Sequence, residues 1–392
     1  MAQSGSRFYL GGSIVTDPER DYRWLPDHQL HVVSTVAHVD KIIDQIGILL
    51  ASYTRSPGCL ELENVRSGDE ALVRVAAINP LPLAVGPLIA DGLTQLRAAI
   101  EHVLFVEVES QLGRSLTPKE ARTIEMPAAE SAAGAEDWFT HKTRKTLAPL
   151  QRSSKLAARI RDLQPYHRRD SGRHPLRVLV EHTNRAKHRA PVVAATLLGA
   201  VIPDVPSRTL WTESGSARPI AVGDVLARGP AHERVPISIW PKVSLQRPHA
   251  GTWHVVMHEL RELEEWVREV AIPHLILGRS NVSPLPPGLN TSIGYVDIRS
   301  ALTEAVPMSA ADRNTIRMQA EPLRAEFVEI LLADPNSPDQ QSITAWIDKL
   351  SDSEVISKFE RIAKPSQRRD ARGLRDALHE LSTEIRLLDG SS

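Results

Sequence analysis

Apolar residues recur at spacings of three and four along much of the chain, a pattern typical of amphipathic helices. The clearest stripes lie at 30–54 and 88–109. The second stretch also has apolar residues outside its stripe, which indicates a helix buried between others. The same spacing predicts further helices at 154–163, 175–187, 253–277, 309–319, 322–332, 338–350, 354–363 and 371–388.

Local signals predict where several helices begin. The segment 117–120 (TPKE) combines a capping residue, a proline at the first helical position and a glutamate at the third. The segments 337–340 (SPDQ) and 351–354 (SDSE) carry a related capping pattern. The polar, alanine-rich stretch 125–137 is predicted to be a loop.

Shorter runs of alternating residues predict β-strands. The runs 59–66 and 72–78 flank a Ser-Gly-Asp turn and predict a hairpin. An extended lead-in at the N-terminus is predicted to contain a short strand at 7–15. Glycine, proline and β-branched residues then alternate before the helix at 253–277, and they predict strands of an antiparallel sheet at 192–202, 220–225 and 235–240.

These elements predict a mainly α fold, a helical bundle with a small antiparallel β-sheet, which is α+β overall and is followed by a helical C-terminal domain. A chain of 392 residues is expected to form two or three domains. The segment 280–290 (SNVSPLPPGLN) has the composition of a linker. We therefore predict an N-terminal domain at 1–279, which carries the site, and a C-terminal domain at 291–392.

The composition bears on whether the protein is secreted, membrane-bound or cytoplasmic. A single cysteine, Cys59, excludes an internal disulfide and a cysteine zinc cluster. No apolar run approaches the roughly 18 residues that a membrane span needs. The N-terminal sequence MAQSGSRFYLGGS lacks the charged and apolar regions of a signal peptide. We expect a cytoplasmic protein with no membrane partner.

The net charge of −1 conceals a basic segment. Residues 142–189 contain fourteen Lys or Arg against three acidic residues, and the rest of the chain has a balance of −12. A basic segment on an acidic protein favours an anionic partner, with nucleic acid or phosphate first. The alternative is a solvated face whose cations pair with acids elsewhere in the fold.

The helix predicted at 175–187 ends in a polar cluster. Asn184 and His188 are four residues apart and therefore neighbours on one helix face, and Lys187 continues the apolar stripe of the helix. Lysine supplies charge, histidine a proton near neutral pH and asparagine orientation, which favours a phosphate or anion site flanked by Arg185 and Arg189. Alternatively, these residues stabilise the C-terminal end of the helix.

The helix predicted at 88–109 carries an arginine and a histidine in the pattern R-x4-H, Arg97 and His102. Five residues correspond to about 140° of helical rotation, so these two side chains converge only in a groove between helices or between subunits. The alternative roles are structural: Arg97 forms an ion pair with Glu101, and His102 packs in the core.

No metal or cofactor is expected. The sequence contains neither of the glycine-rich nucleotide loops, G-x-x-x-x-G-K-[ST] and G-x-G-x-x-G, and no G-x-S-x-G nucleophile motif. His254, His258 and Glu262 have a helical spacing that could hold a metal ion, but they belong to an otherwise ordinary amphipathic helix.

The order of these motifs resembles that of a group of uncharacterised bacterial proteins. The shared layout is a helix with R-x4-H, Gln-Pro-Tyr at 164–166, a helix ending in N-x-x-K-H-R at 184–189, then strands and a closing amphipathic helix. The resemblance covers 30–277, and N-x-x-K-H-R is its most specific motif.

An R-x4-H helix within a helical bundle is also similar to the HEPN superfamily, many of whose members are metal-independent endoribonucleases in RNA-targeting toxins and phage defence. In that superfamily the arginine and histidine act together across a dimer interface, so the resemblance implies a homodimer. Only Arg97 and His102 match its motif. This chain differs in having Ala98 where a polar residue often follows the arginine, and in the β-rich segment that comes later.

The resemblance implies cleavage of RNA without a metal ion. The 2′-hydroxyl of RNA is the nucleophile, so the protein must move protons and stabilise the crowded phosphorane. His102 or His188 would transfer the protons, and Arg97 and Lys187 would stabilise the charge.

The same hypothesis gives the basic segment a binding role. Arg168 and Arg169 would contact the RNA backbone, and Tyr166 would offer a stacking surface for a base. Two alternatives stay open: a non-catalytic helical module that binds nucleic acid or another anionic ligand, and a purely structural oligomer in which the Asn-Lys-His cluster is an internal strut.

Overall fold

A computed structural model describes residues 21–55, 58–188, 192–233, 236–335, 337–368 and 370–389. The strand predicted at 7–15 and the candidate residue Arg189 lie outside these ranges. The helices are α1 (His31–Thr54), α2 (Val85–Leu112), α3 (Pro118–Ala121), α4 (Ala132–Thr140), α5 (Lys155–Asp162), α6 (Pro175–His188), α7 (Val256–Glu265), α8 (Ile272–Leu277), α9 (Ile298–Glu304), α10 (Ala310–Leu332), α11 (Gln340–Lys349), α12 (Asp352–Gln367) and α13 (Ala371–Asp389).

The strands are β1 (Leu60–Ser67), β2 (Glu70–Ile78), β3 (Ala194–Pro203), β4 (Trp211–Thr212), β5 (Val225–Pro230), β6 (Ile237–Gln246) and β7 (Trp253–Val255). They form two small antiparallel sheets, ordered β1-β2-β5-β4 and β3-β6-β7. The mainly helical α+β fold predicted from the sequence is confirmed, and the predicted hairpin is β1-β2, which continues into the first sheet.

The chain divides into two compact units. The first contains the described residues of Met1–His38, Gln95–Val180 and Leu263–Pro307. The second contains those of Val39–Thr94, Glu181–Glu262 and Met308–Ser392. Both sheets belong to the second unit. The division into domains on either side of 280–290 stays a prediction.

Two hydrophobic clusters stabilise the second unit. One joins the two sheets, with Val75 and Leu226 from the first sheet packed against Leu198 and Val201 from the other. The other lies among α10, α11, α12 and α13 and consists of Phe327, Leu331, Ile343, Trp346, Ile347, Ile362, Leu381 and Ile385. The burial of these side chains, rather than helix propensity alone, stabilises these helices.

Several boundary signals act as the sequence predicts. Thr117 and Ser351 each form a complete capping box, with Glu120 and Glu354 respectively. The 337–340 signal is displaced, because Asp339 rather than Ser337 caps α11 by accepting hydrogen bonds from two backbone N–H groups. Asp is itself a strong capping residue, so the helix begins two positions later than the Ser-initiated pattern implies.

Two helices, α4 and α9, were not predicted from the sequence. The stretch 125–137 was predicted to be a loop, but α4 begins within it, where the Ser131 side chain accepts a hydrogen bond from the Gly134 N–H. Ala135, Trp138 and Phe139 bury one face of that short helix. The other is α9, which Asp297 caps in the same way. Both are too short for a stripe of apolar residues to be recognised.

Three other predictions were wrong in detail. The helix predicted at 253–277 begins with strand β7, which pairs with β6, and it contains a π-helical turn at Trp266–Ala271 before Pro273. The strand predicted at 220–225 is mostly a turn that precedes β5. The two helices predicted around Pro322 are one helix, α10. A proline removes only one backbone hydrogen bond, and packing of the helix on both sides outweighs that loss.

The segment 280–290 is irregular, as a linker would be, but it is fastened within the first unit. Leu285 is fully buried, and its carbonyl oxygen accepts a hydrogen bond from Arg268 at 3.1 Å. The carbonyl oxygen of Ser283 accepts one from the indole of Trp24 at 2.9 Å. Among the described helices, none combines the length and apolar content needed to cross a bilayer.

Candidate functional site

The last turns of α6 carry the polar cluster that the sequence singles out. Asn184, Arg185 and His188 line one cavity of about 480 Å³, together with Glu181 and Pro248. The helical members are spaced three and four residues apart and therefore share one face of α6. Asn184 and His188 are exposed, so the cavity is accessible to a ligand.

The cluster contains two basic side chains, Arg185 and Lys187, beside the imidazole of His188. Across the part of the chain that the structure describes, Arg185, Lys187 and His188 form no ion pair with a carboxylate. Lys187 is exposed but does not line the cavity. Glu181, one turn before Arg185, places a carboxylate on the wall, so the cavity is not uniformly positive. The negative end of the helix dipole also stabilises the positive charges of Arg185 and Lys187.

A buried ionic layer in the same unit was missed by the sequence analysis. The Arg247 guanidinium donates two hydrogen bonds of 2.7 Å to the two carboxylate oxygens of Glu259, and both side chains are almost completely buried. His254 Nδ1 lies 3.7 Å from the same carboxylate, and its Nε2 is 3.0 Å from the Thr252 hydroxyl. Arg247 immediately precedes Pro248, which connects this layer to the cavity wall.

His182 lies beside this layer, on the α6 helix. It is 2% exposed, and its Nε2 atom is buried with no hydrogen-bond partner among the described residues. Burial lowers the pKa of His182 to about 4, and the positive charge of Arg247 adds to this effect while Glu259 opposes it. His182 therefore stays neutral at physiological pH.

His254, His258 and Glu262 do not have the helical arrangement that their spacing suggests. His254 lies in β7, not in a helix, so its spacing to His258 and Glu262 does not place the three side chains on one helical face. Within the described ranges, no group of three His, Cys, Asp or Glu side chains is arranged to hold a metal ion.

The R-x4-H pair lies on the part of α2 that belongs to the first unit. Arg97 Nε donates to Glu101 Oε1 at 3.2 Å, and the other Glu101 oxygen accepts the backbone N–H of Met126 at 2.7 Å. Burial raises the pKa of Glu101, although the Met126 N–H and Arg97 counteract it. The ion pair that we considered as a structural role for Arg97 is therefore present.

His102 has a neighbour that the sequence did not suggest. The centroids of the His102 and His31 rings are 6.3 Å apart, with the rings tilted by 55°. His31 Nδ1 lies 3.2 Å from the carbonyl oxygen of His28, and burial lowers the pKa of His31. The His28 ring instead contacts Glu107 at 3.1 Å. The R-x4-H histidine thus belongs to a histidine pair.

The Gln-Pro-Tyr motif has a structural component. The buried Gln164 side chain accepts the Ala129 N–H at 2.9 Å and donates to the Ile160 carbonyl at 2.8 Å, so it fastens the segment before α4. Tyr166 is half-buried and its ring stacks at a tilt on His167, 4.2 Å between centroids.

Many cations of the basic segment have structural partners. Arg168 donates to the carbonyl oxygen of Arg173 at 3.3 Å, while Arg169 is exposed. The following arginines of the segment bind carboxylates or backbone carbonyls of the first unit: Arg144, Arg152, Arg159, Arg161, Arg173 and Arg177. The alternative of cations paired within the fold therefore applies to much of this segment.

The candidate residues fall into two sets. Arg97, His102, Tyr166, Arg168 and Arg169 belong to the first unit. Asn184, Arg185, Lys187 and His188 belong to the second. The convergence of the two sets in a single site stays a prediction. Comparison with family models, with curated proteins and with solved structures found no match to this chain.

Proposed function

We propose that this protein binds RNA, through its phosphates, at the cavity beside the end of α6. The observation that carries the proposal is the lining of that cavity, where Asn184, Arg185 and His188 meet in a space of about 480 Å³. Ligand sites in proteins commonly measure about 300–1,000 Å³. This cavity therefore has room for a nucleotide-sized group.

The chemistry of the wall favours a phosphate. A guanidinium donates two parallel hydrogen bonds to phosphate oxygens, an amide N–H₂ adds a neutral donor, and an imidazole donates or accepts a proton near neutral pH. Among the described residues, neither Arg185 nor His188 forms an ion pair with a carboxylate, so both side chains are available to an anion in the cavity.

The carboxylate of Glu181 offers RNA a contact that a bare anion cannot make. Its negative charge opposes a phosphate in the same cavity, whether the phosphate is free or part of RNA. A carboxylate can nevertheless accept a hydrogen bond from a ribose 2′-hydroxyl, the group that distinguishes RNA from DNA. We therefore expect RNA to bind more tightly than DNA of the same sequence.

Fluorescence anisotropy with a labelled single-stranded RNA tests this proposal. Replacing Arg185 and His188 together by alanine is expected to weaken RNA binding about tenfold or more, because charge-assisted hydrogen bonds to phosphate are lost. The matched control is Lys349→Ala, which removes an exposed cation from the last turn of another helix, α11. Equal affinity of the double variant and the wild type would refute the proposal.

The second candidate function is metal-independent cleavage of RNA, and the His31–His102 pair favours it. His31, whose pKa burial lowers, is neutral at physiological pH and suited to accept the proton of the 2′-hydroxyl. The 2′-oxygen then attacks phosphorus, the bond from phosphorus to the 5′-oxygen breaks, and His102 donates a proton to that oxygen. The products are a 2′,3′-cyclic phosphate and a 5′-hydroxyl.

This candidate keeps the other expectations of the HEPN resemblance, namely a homodimer, a cytoplasmic setting and a role in phage defence or a toxin system. Incubation of purified protein with total RNA in the presence of a chelator tests it. His31→Ala and His102→Ala are expected to abolish cleavage. His28→Ala is the control, since it removes a neighbouring imidazole but keeps the backbone oxygen near His31. Intact RNA after incubation with concentrated wild-type protein would refute cleavage and leave the binding proposal standing.

A further inference from the structure

A second cavity lies at one end of the β1-β2-β5-β4 sheet, beside the β1-β2 hairpin turn, in the second unit. Its volume is about 700 Å³. The lining includes one exposed aromatic side chain, three basic side chains and two acidic ones: Trp211, Arg66, Arg228, His232, Asp69 and Glu70. None of these residues takes part in the sites described above.

The strand register explains how an arginine and a tryptophan meet in this cavity. Trp211 of β4 is directly opposite Arg228 of β5, so both side chains stand on the same face of the sheet. The Arg228 guanidinium carbon lies over the Trp211 ring, 4.4 Å from its centroid. Trp211 is nevertheless 40% exposed, so its ring contacts the Arg228 guanidinium and is still accessible to a ligand.

The acidic side chains belong to the same cavity. Glu70 pairs with Pro230, two residues along from the Leu72–Arg228 pair, and the two-residue period of a strand places it on the Trp211 face. Asp69 precedes it in the hairpin turn. In the ranges that the structure covers, neither carboxylate forms an ion pair, so both can accept hydrogen bonds from a ligand.

We propose that this cavity binds a base of single-stranded RNA, with Trp211 as the stacking surface. Every base has a π-face that stacks on an indole, and a guanidinium on the ring adds a cation–π contribution. Arg66 also lines the cavity and would neutralise a backbone phosphate, whereas the His232 ring lies 3.9 Å from the Glu233 carboxylate. The choice of RNA as the ligand rests on the function proposed for the α6 cavity, whereas the stacking geometry is independent of it.

The two carboxylates predict which bases bind best. Cytosine and adenine carry exocyclic amino groups that donate hydrogen bonds, whereas the corresponding position of uracil is a carbonyl oxygen that only accepts. Asp69 and Glu70 can accept from an amino group and would oppose a carbonyl. We therefore expect cytosine to bind more tightly than uracil, although the two are similar in size and stack on an indole to a similar extent.

The test compares the binding of labelled oligocytidine and oligouridine of equal length by fluorescence anisotropy. Trp211→Ala is expected to weaken oligocytidine binding about tenfold, and Trp211→Phe to weaken it less, since a phenyl ring still stacks. Trp240→Ala is the matched control, because Trp240 is 55% exposed and lies on the other sheet of the same unit. Asp69→Asn combined with Glu70→Gln is expected to remove the preference for cytosine over uracil.

The outcomes distinguish this inference from the proposed function. If Trp211→Ala binds RNA as the wild type does while the Arg185 and His188 variant does not, the inference is overturned and the proposed function stands. If Trp211→Ala loses binding and the α6 variant keeps it, the reverse holds. Tight binding of a neutral oligosaccharide, lost in Trp211→Ala and unaffected by RNA, would also overturn the inference, because aromatic side chains stack on sugars as well.

Discussion

The buried imidazole of His182 is expected to make the folded protein sensitive to mild acid. His182 is 2% exposed, and burial lowers its pKa from 6.5 to about 4. In the unfolded chain the same imidazole is hydrated and titrates near its ordinary value. The unfolded state therefore binds a proton at a pH where the folded state does not, and protonation favours unfolding.

The direction and size of the effect follow from these two pKa values. Above about pH 6.5 neither state binds the proton, so the titration of His182 does not change the free energy of unfolding. As the pH falls below 6.5, the free energy of unfolding decreases. The decrease is about 1.3 kcal/mol between about pH 7.5 and pH 5.5, and it reaches roughly 3.4 kcal/mol once the pH is below both pKa values. His174, 7% exposed and also with a pKa lowered to about 4 by burial, is expected to contribute similarly.

Urea unfolding across this pH range, for the wild type and His182→Leu, measures the contribution. Leucine removes the titrating group and leaves no unpaired ring nitrogen in its place. The variant is expected to lose about 1.3 kcal/mol less than the wild type between about pH 7.5 and 5.5, and adding His174→Leu should reduce the loss again. Parallel pH profiles for wild type and His182→Leu would refute the argument that this imidazole is desolvated in the folded state.

Two further predictions concern the buried side chains of the second unit. Arg247→Met is expected to lower the free energy of unfolding by about 3–5 kcal/mol, because it leaves the Glu259 carboxylate buried without its main partner. Adding Glu259→Leu should restore most of that loss. A double-mutant cycle measured by urea unfolding checks this, and additive losses of stability would contradict it. Gly47→Ala places a methyl group in overlap with the buried Asn314 side chain and is expected to cost about 1–3 kcal/mol, which Asn314→Ala should relieve. In Gly92→Ala the added methyl group would lie 3.4 Å from the nearest atom, on Ile42, so this variant should instead stabilise the fold by up to about 1 kcal/mol. Thermal unfolding that ranks the two glycine variants in the opposite order would contradict the packing argument.

Features that depend on neighbouring residues in the sequence could be predicted well. Helix α1 spans His31–Thr54 against a predicted 30–54, and α6 spans Pro175–His188 against 175–187. Both follow from apolar periodicity and terminal signals, which act within a few residues. The same local rules gave a wrong prediction at Pro322, because proline tends to end a helix. Packing along α10 outweighs that tendency, and the helix continues through Pro322.

Features that depend on distant residues could not be predicted. Trp253–Val255 is a strand because β6 offers it a partner, although its own spacing continues the helical pattern of α7. The Arg247–Glu259 pair and the contact of His31 with His102 join residues 12 and 71 positions apart, and the sequence gives no sign of either. Trp211 lies opposite Arg228 only because the two-residue strand β4 pairs with β5 at the edge of the sheet.

The salt dependence of RNA affinity tests the central claim most directly. If Arg185 contacts a phosphate in the α6 cavity, Arg185→Gln is expected to make the slope of log Kd against log salt concentration shallower by about 0.7, the value for one phosphate contact on a single strand. Lys349→Gln should leave the slope unchanged. A slope for Arg185→Gln equal to that of the wild type would show that RNA, if bound, is not held by its phosphates at this cavity.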